Sequence, residues 1–403
     1  MPDIKQELTK LGFVPAKNIA AVKTNRTTIE DAVQGIRIIN EFGEVIMIEM
    51  TYPYETIFGS SKLSFPSNFG IVRKIIKHES ITNNPQKYIY IDTETTGLSG
   101  GTGTLPFLIG YGFFTPGGFT VQQLLSDSPI NEITQLLEFN KTLQNFETTM
   151  TFNGKSFDLP LIKTRFVINK IDPPLDKLNH IDLLHISRNI WKMRLADRSL
   201  RELESRILGF SRTDDDIPGW MIPQVYFDFL KTGDPSELKG VVYHNRIDVL
   251  CMAVLHQKVI SMIENINKKD ENDILDSYSI GVIFQNRYQY SDALCVFNRC
   301  INASGINDYL LVDLHMRVAQ INKRQNNWDS AIFHWVEASE LGSIDSCVEL
   351  AKYYEHNLKS LQDALFWALK AKALLIRAKK KVVRYTERND EIAKRIERLQ
   401  RRK

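Results

Sequence analysis

Cysteine is scarce in this chain: four residues in 403, Cys251, Cys295, Cys300 and Cys347, with no zinc-ribbon spacing among them. A disulfide framework is therefore not the basis of the fold, and buried free thiols in a reducing compartment are expected. Long apolar runs are also missing. No 18-residue stretch could span a bilayer and no charged-then-apolar leader opens the chain, so a cytoplasmic protein without a membrane partner is expected. Nor is one sign of charge in large excess: 51 Lys/Arg face 48 Asp/Glu, and a net +3 says little by itself about nucleic acid. A phosphate-binding loop is lacking too. Gly97, Gly100, Gly101 and Gly103 form a glycine-rich stretch, but no Gly-Lys-Ser/Thr follows and Leu105 to Phe114 reads as a strand, which favours a strand-to-strand connection.

What is present is an apolar share of 43% over a length that suits two or three domains, and four carboxylates at three separated points. Tyr88 to Ile91 reads as a buried strand that ends in Asp92 and Glu94, two residues apart and so on one face. Two carboxylates held that close raise each other's pKa unless a divalent cation neutralises them. Thr149 to Ile162 joins a short strand to a helix through an Asn-Gly turn that delivers Asp158. Val241 to Leu250 has helical periodicity, and at about 100° per residue His244 and Asp248 share a face one turn apart. Together these residues look like a metal site.

The order Asp-x-Glu, then Asn-x3-Phe-Asp, then a His or Tyr one turn before a last Asp resembles the DEDD exonucleases of the ribonuclease H-like superfamily. Gly97 to Thr104, Asn153 to Pro160 and His244-Asn245-x-x-Asp248 are similar, more narrowly, to the bacterial YprB-like branch, over roughly residues 86 to 262. The resemblance implies two divalent cations, Mg²⁺ or Mn²⁺, held by Asp92, Glu94, Asp158 and Asp248, with Asp92 bridging and a general base beside them. It also makes Thr95, Thr96 and Leu98 candidates for gripping the terminal nucleotide, with Asn153 orienting the second motif, although a Thr or Asn beside a turn is more often a local cap.

One departure concerns the base. The families show His-x4-Asp or Tyr-x3-Asp, whereas this chain has His244-x3-Asp248 and Tyr243-x4-Asp248. His244 is the expected base, because it faces Asp248 and an imidazole titrates close to neutrality; Tyr243 is the alternative. Asp214, Asp215 and Asp216 read as turn chemistry in Asp-Asp-Asp-Ile-Pro-Gly. Asp182 competes with Asp158 but lacks its Asn-x3-Phe context. Lys155, Lys163, Arg165, Arg188, Lys192, Arg194, Arg198 and Arg201 offer positive charge along a strand of nucleic acid, with Phe107 or Trp191 stacking bases.

The expected organisation is an accessory segment over 1–85, an α/β ribonuclease H-like domain over 86–265 with a mixed sheet flanked by helices, and an all-α tetratricopeptide-like repeat domain over 270–403. In the first segment Ile4 to Leu11 is amphipathic and Gly43 to Met50 reads as a strand. In the last, Gly281, Ala293, Phe297 and Cys300 recur at identical offsets as Ala319, Ala331, Trp335 and Ala338, and with one extra residue as Ala351, Ala364, Ala368 and Ala371. From Arg377 to Lys403 twelve basic residues meet four acidic ones, a net +8 that leaves −5 for the rest; this basic helix either touches phosphates or is a solvated face.

The expected function is metal-dependent 3′-to-5′ exonuclease action on single-stranded nucleic acid, DNA first and RNA as the alternative, in repair or processing. The helical repeats imply a protein partner without naming it; the resemblance implies a nucleic-acid-remodelling one, such as a helicase. The competing class is a non-catalytic scaffold that binds nucleic acid and recruits partners.

Overall fold

Alternating apolar residues build the first half of the molecule around one seven-stranded sheet. The computed structural model describes residues 27–65, 68–76, 80–97, 103–266, 273–378 and 385–402; the amphipathic stretch expected at Ile4 to Leu11 lies outside them. A short helix, α1 (Ile29–Val33), precedes the hairpin β1 (Ile36–Asn40) and β2 (Gly43–Pro53), and the ribbon β3 (Ile57–Phe58) and β4 (Ser61–Lys62) follows. Next come β5 (Tyr88–Thr95), β6 (Pro106–Thr115) and β7 (Gly118–Leu125), then α2 (Glu132–Leu143), β8 (Thr148–Thr151), α3 (Asp158–Ile168) and β9 (Asn179–Asp182). Helices α4 (Leu183–Ile190), α5 (Leu200–Arg206), α6 (Ile222–Thr232) and α7 (Leu238–Glu264) complete this half.

The strand order is β1-β2-β7-β6-β5-β8-β9, antiparallel from β1 to β5 and parallel from β5 through β8 to β9, so the sheet is mixed as expected. The segment before residue 86 does more than pack on this domain. Its strand β2 pairs with β7 over eight positions and carries β1 on its outer edge, because Val45, Ile46 and Ile48 alternate between the two buried faces.

The same alternation sets the faces of β5. Ile89 and Ile91 enter the core under α2 and α3 with Leu136, Phe139 and Phe166. Tyr88 and Tyr90 enter the opposite core with the apolar run of α7, where the Tyr90 hydroxyl lies 2.8 Å from His256 Nδ1. Continuing the period of two, Asp92 and Glu94 emerge on the α7 side at the strand's end.

The second half is all helical: α8 (Ile274–Asn286), α9 (Tyr290–Ile301), α10 (Asp308–Arg324), α11 (Trp328–Glu340), α12 (Ile344–His356), α13 (Leu361–Arg377) and α14 (Tyr385–Arg401), each packed on the next. The recurring positions interlock successive helices. A methyl group on Gly281 of α8 would stand 2.6 Å from the Phe297 ring of α9, and Ala319, Ala331, Ala338, Ala351, Ala364, Ala368 and Ala371 are all buried. Cys251, Cys300 and Cys347 are buried free thiols, while Cys295 is exposed. In the terminal helix part of the basic charge is spent internally: Arg395, Arg398 and Arg402 of 385–402 converge on the buried Glu355 at 2.6, 2.8 and 3.6 Å.

The two halves share a core. Val259, Ile263 and Ile266 pack in the same cluster as Tyr278, Ile280 and Phe297, and Arg194 to Asp276 at 3.1 Å and Lys74 to Asp292 at 3.1 Å bridge the halves. Among the described residues no helix is long and apolar enough to cross a membrane.

Candidate active site

The site is built where β5 ends against α7. Sheet register sets Asp92 of β5, Gly110 of β6 and Gln123 of β7 in one cross-strand row, and fully buried Asn245 of α7 lies over that row. Asn245 Nδ2 donates to Asp92 Oδ2 at 2.8 Å and to the Asp92 carbonyl at 3.3 Å. Its Oδ1 accepts from Gln123 Nε2 at 2.8 Å, and Gln123 also donates to the Val242 carbonyl. Asn245 is thus saturated and fixes both the Asp92 side chain and the rotation of α7 about its axis.

One helical step away, His244 and Asp248 face the same space, with Nε2 3.5 Å from Asp248 Oδ2. His244 Nδ1 is 2.8 Å from Asp216 Oδ1. A carboxylate only accepts, so the bond to Asp216 is made with a proton on Nδ1, and Nε2 is the ring nitrogen turned toward Asp248. Tyr243 points elsewhere: its hydroxyl accepts from the Thr213 amide at 3.2 Å, and Arg246 lies over its ring. Asp216, read from the sequence as turn chemistry, does close a turn onto Thr213, but its side chain is also His244's partner.

The fourth acid, Asp158, opens α3. The preceding turn places Asn153 in the left-handed region, at φ 67°, and Asp182 holds that turn by accepting the Asn153 amide at 2.8 Å and the Lys155 amide at 3.1 Å while capping α4 through Leu184 at 3.0 Å. Both oxygens of Asp182 are thus engaged by backbone amides. Asp158 Oδ1 accepts from the Thr93 hydroxyl at 2.6 Å.

The acids feel one another. Desolvation, ahead of repulsion from Asp248, holds the Asp92 and Glu94 carboxyls well above the usual carboxylate range, with Asp158 adding to both. Burial pushes Asp158 to about 6 against the stabilising Thr93 bond. Such a set of hard oxygen donors fits Mg²⁺ or Mn²⁺. Among the described residues no three acidic, imidazole or thiol side chains are arranged so as to hold a metal ion. Asp248 is engaged by Arg212. Its Nη2 contacts Asp248 Oδ1, its Nη1 is 3.3 Å from Asp216 Oδ1, and Glu204 takes its Nε and Nη2 at 3.0 and 2.7 Å.

Several expectations change. Phe107 and Trp191 cannot stack bases: both are buried, Phe107 face to face with Tyr226 at 4.0 Å. Their sequence neighbourhood to the motifs misled, because each points into a core. Two exposed aromatics adjoin the site residues instead: Phe157, next to Asp158, and Trp220, whose neighbour Gly219 backs onto His244. Thr95 donates to the Gly97 carbonyl at 2.8 Å and Thr96 accepts the Leu105 amide at 3.0 Å, so both hydroxyls are engaged in closing the loop after β5. Leu98 lies outside the described residues. Arg165, expected to offer charge to a nucleic acid, is buried against Glu132. The sequence reading missed Arg212, Glu204, Gln123 and Thr93, for which no local signal exists, and gave Asn245 no role although its position three before Asp248 marks the same face.

Two comparisons bear on this geometry. Residues 89–260 match the model of the RNase_H superfamily, a span that contains all four acids and His244. The chain is 33% identical over 292 residues to the uncharacterized protein YprB of Bacillus subtilis (strain 168), covering 70% of this chain and 68% of that protein.

Proposed function

The chain belongs to the ribonuclease H superfamily, whose members are typically nucleases acting with divalent metal ions, and from that premise we propose that it is a two-metal 3′-to-5′ exonuclease of single-stranded nucleic acid, with DNA as the favoured substrate and repair or processing as its role. The observation that carries the reading is the mutual influence of Asp92 and Glu94 at the end of β5 with Asp248 on α7 and Asp158 at the head of α3, each raising the carboxyls of the first two.

Asp92, Glu94, Asp158 and Asp248 would hold the cations. When bound, these supply Lewis acidity and neutralise charge on the equatorial and leaving oxygens of the phosphodiester. His244 takes the proton of the attacking water at Nε2, while Asp216 holds the ring by Nδ1 and favours the imidazolium as it forms. Asn245 keeps Asp92 from turning away. Thr95, Thr96, Leu98 and Asn153 would contact the terminal nucleotide, and the exposed Trp220 and Phe157 would stack bases.

The helical half, read as tetratricopeptide-like, would recruit a protein partner, a helicase among the candidates, in the cytoplasm. Degradation of 5′- and 3′-labelled single-stranded DNA and RNA with Mg²⁺, Mn²⁺ or EDTA tests the reading. Metal-dependent loss of nucleotides from the 3′ end supports it. A ladder from internal cuts makes the enzyme an endonuclease, RNA degradation alone makes it an RNA-processing nuclease, and binding without cleavage makes it a scaffold.

A further inference from the structure

Arg212 is an unusual tenant of an acidic site. Its side chain is 6% exposed, and so is that of Asp216, while Glu204 is at 2%. An arginine so buried does not neutralise, since the guanidinium stays charged and here its neighbours hold it more firmly protonated. Glu204 engages one edge of the fork, which leaves the other edge to Asp248 and Asp216, with the His244 ring held by that same Asp216. One oxygen of Asp248 is thereby given to a guanidinium, while the charge of Asp248 is still felt at Asp92 and Glu94.

We propose that Arg212, anchored by Glu204, is the resident counter-cation of this site: it holds Asp248 and the Asp216–His244 pair in register until a divalent cation claims Asp248, and then remains beside His244 as a positioning residue. The inference rests on the metal-dependent reading above. Physically, a single positive charge in the cleft offsets carboxylate repulsion in the metal-free protein and for the same reason opposes the entry of a second cation. Removing that charge must therefore move two quantities in opposite directions. Stability without metal falls, and affinity for metal rises.

The test compares the full-length wild type with Arg212→Gln and Arg212→Lys, measuring thermal midpoints in EDTA and Mn²⁺ affinity by calorimetry and by the Mn²⁺ spin-resonance signal. Arg212→Gln is expected to melt at lower temperature in EDTA and to bind Mn²⁺ tighter, on the order of tenfold, whereas Arg212→Lys, which keeps the charge but not the fork, stays within a few-fold of wild type on Mn²⁺. If the Gln variant does not fold in EDTA, Mn²⁺ supplied during refolding is expected to restore it. A Gln variant that binds Mn²⁺ no tighter than wild type, a Lys variant that behaves like Gln, or refolding that Mn²⁺ does not rescue overturns the counter-cation role. Wild type that takes up no Mn²⁺ at all overturns the metal-dependent reading beneath it.

Discussion

Gly110 and Asn245 meet so closely that a methyl group on Gly110 would stand 1.9 Å from Asn245 Oδ1. The missing side chain is what lets α7 descend onto the sheet and lets one amide reach both Asp92 and Gln123. Gly110→Ala is expected to lift α7 at this point and to weaken Mn²⁺ binding, and Asn245→Ala to do so by about 10- to 100-fold, the range for groups that orient metal ligands. Calorimetric titration of both variants checks this, and unchanged affinity in Asn245→Ala would remove Asn245 from the site.

For the acids themselves, Asp92→Asn and Glu94→Gln are expected to cost at least about 10²-fold in nuclease rate, more than the loss of an orienting neighbour. Because the carboxyls are held above their usual range by burial and mutual repulsion, the neutral variants are expected to melt no lower than wild type in EDTA. Activity within a few-fold of wild type at saturating Mn²⁺ would contradict the assignment.

His244→Ala is expected to slow cleavage on the order of 10²- to 10⁴-fold, while Tyr243→Phe does little, since the Tyr243 hydroxyl is turned to the Thr213 amide. The reverse ranking would transfer the role to Tyr243.

A chain ending near Lys268 bears on how the halves depend on each other. Composition and motif placement suggest a free-standing nuclease domain, but Ile263 and Ile266 share a core with Tyr278, Ile280 and Phe297. Each such side chain contributes roughly 1.5–3 kcal/mol by its burial, a large loss against the margin of a typical domain. The truncated chain is expected to aggregate or melt far below the full chain in a thermal scan; a soluble truncation with a wild-type midpoint would show that the shared core is dispensable.

At the same junction Asp276 gives a pH signature. Burial, against the pull of Arg194, pushes its carboxyl up to about 7. The folded protein thus binds this proton more tightly than the unfolded chain, whose Asp titrates near about 3.9. Its contribution is full below about pH 4 and is lost as pH rises through about 7. Asp276→Asn is expected to flatten the fall in thermal midpoint between pH 5 and 8; an unaltered slope would assign that fall to other groups.

What the sequence made legible follows from periodicity. Asp92 and Glu94 could be placed because Tyr88, Ile89, Tyr90 and Ile91 alternate between two cores, and His244 with Asp248 because four residues make one helical turn. The recurring small residues from Gly281 to Ala371 announced the helix pairs for the same reason. Contacts closed by the fold over long separations were not legible: Arg212 reaches Asp248 across 36 positions and Glu204 across eight, from a loop without regular spacing. Charge and aromaticity misled where burial decided the outcome, as at Arg165, Phe107 and Trp191.

The core shared between α7 and the first helix pair makes the molecule a jig instead of two tools on a string. Anything seated on α8 to α10, which share that core with α7, stands at a set distance and angle from Asp92. For a substrate end presented at the matching place, local concentration near the acids is raised with no added contact, and for one presented elsewhere it is close to zero. On the proposed nuclease reading, selectivity would then arise from where a substrate is held on that surface, with no base having to be read.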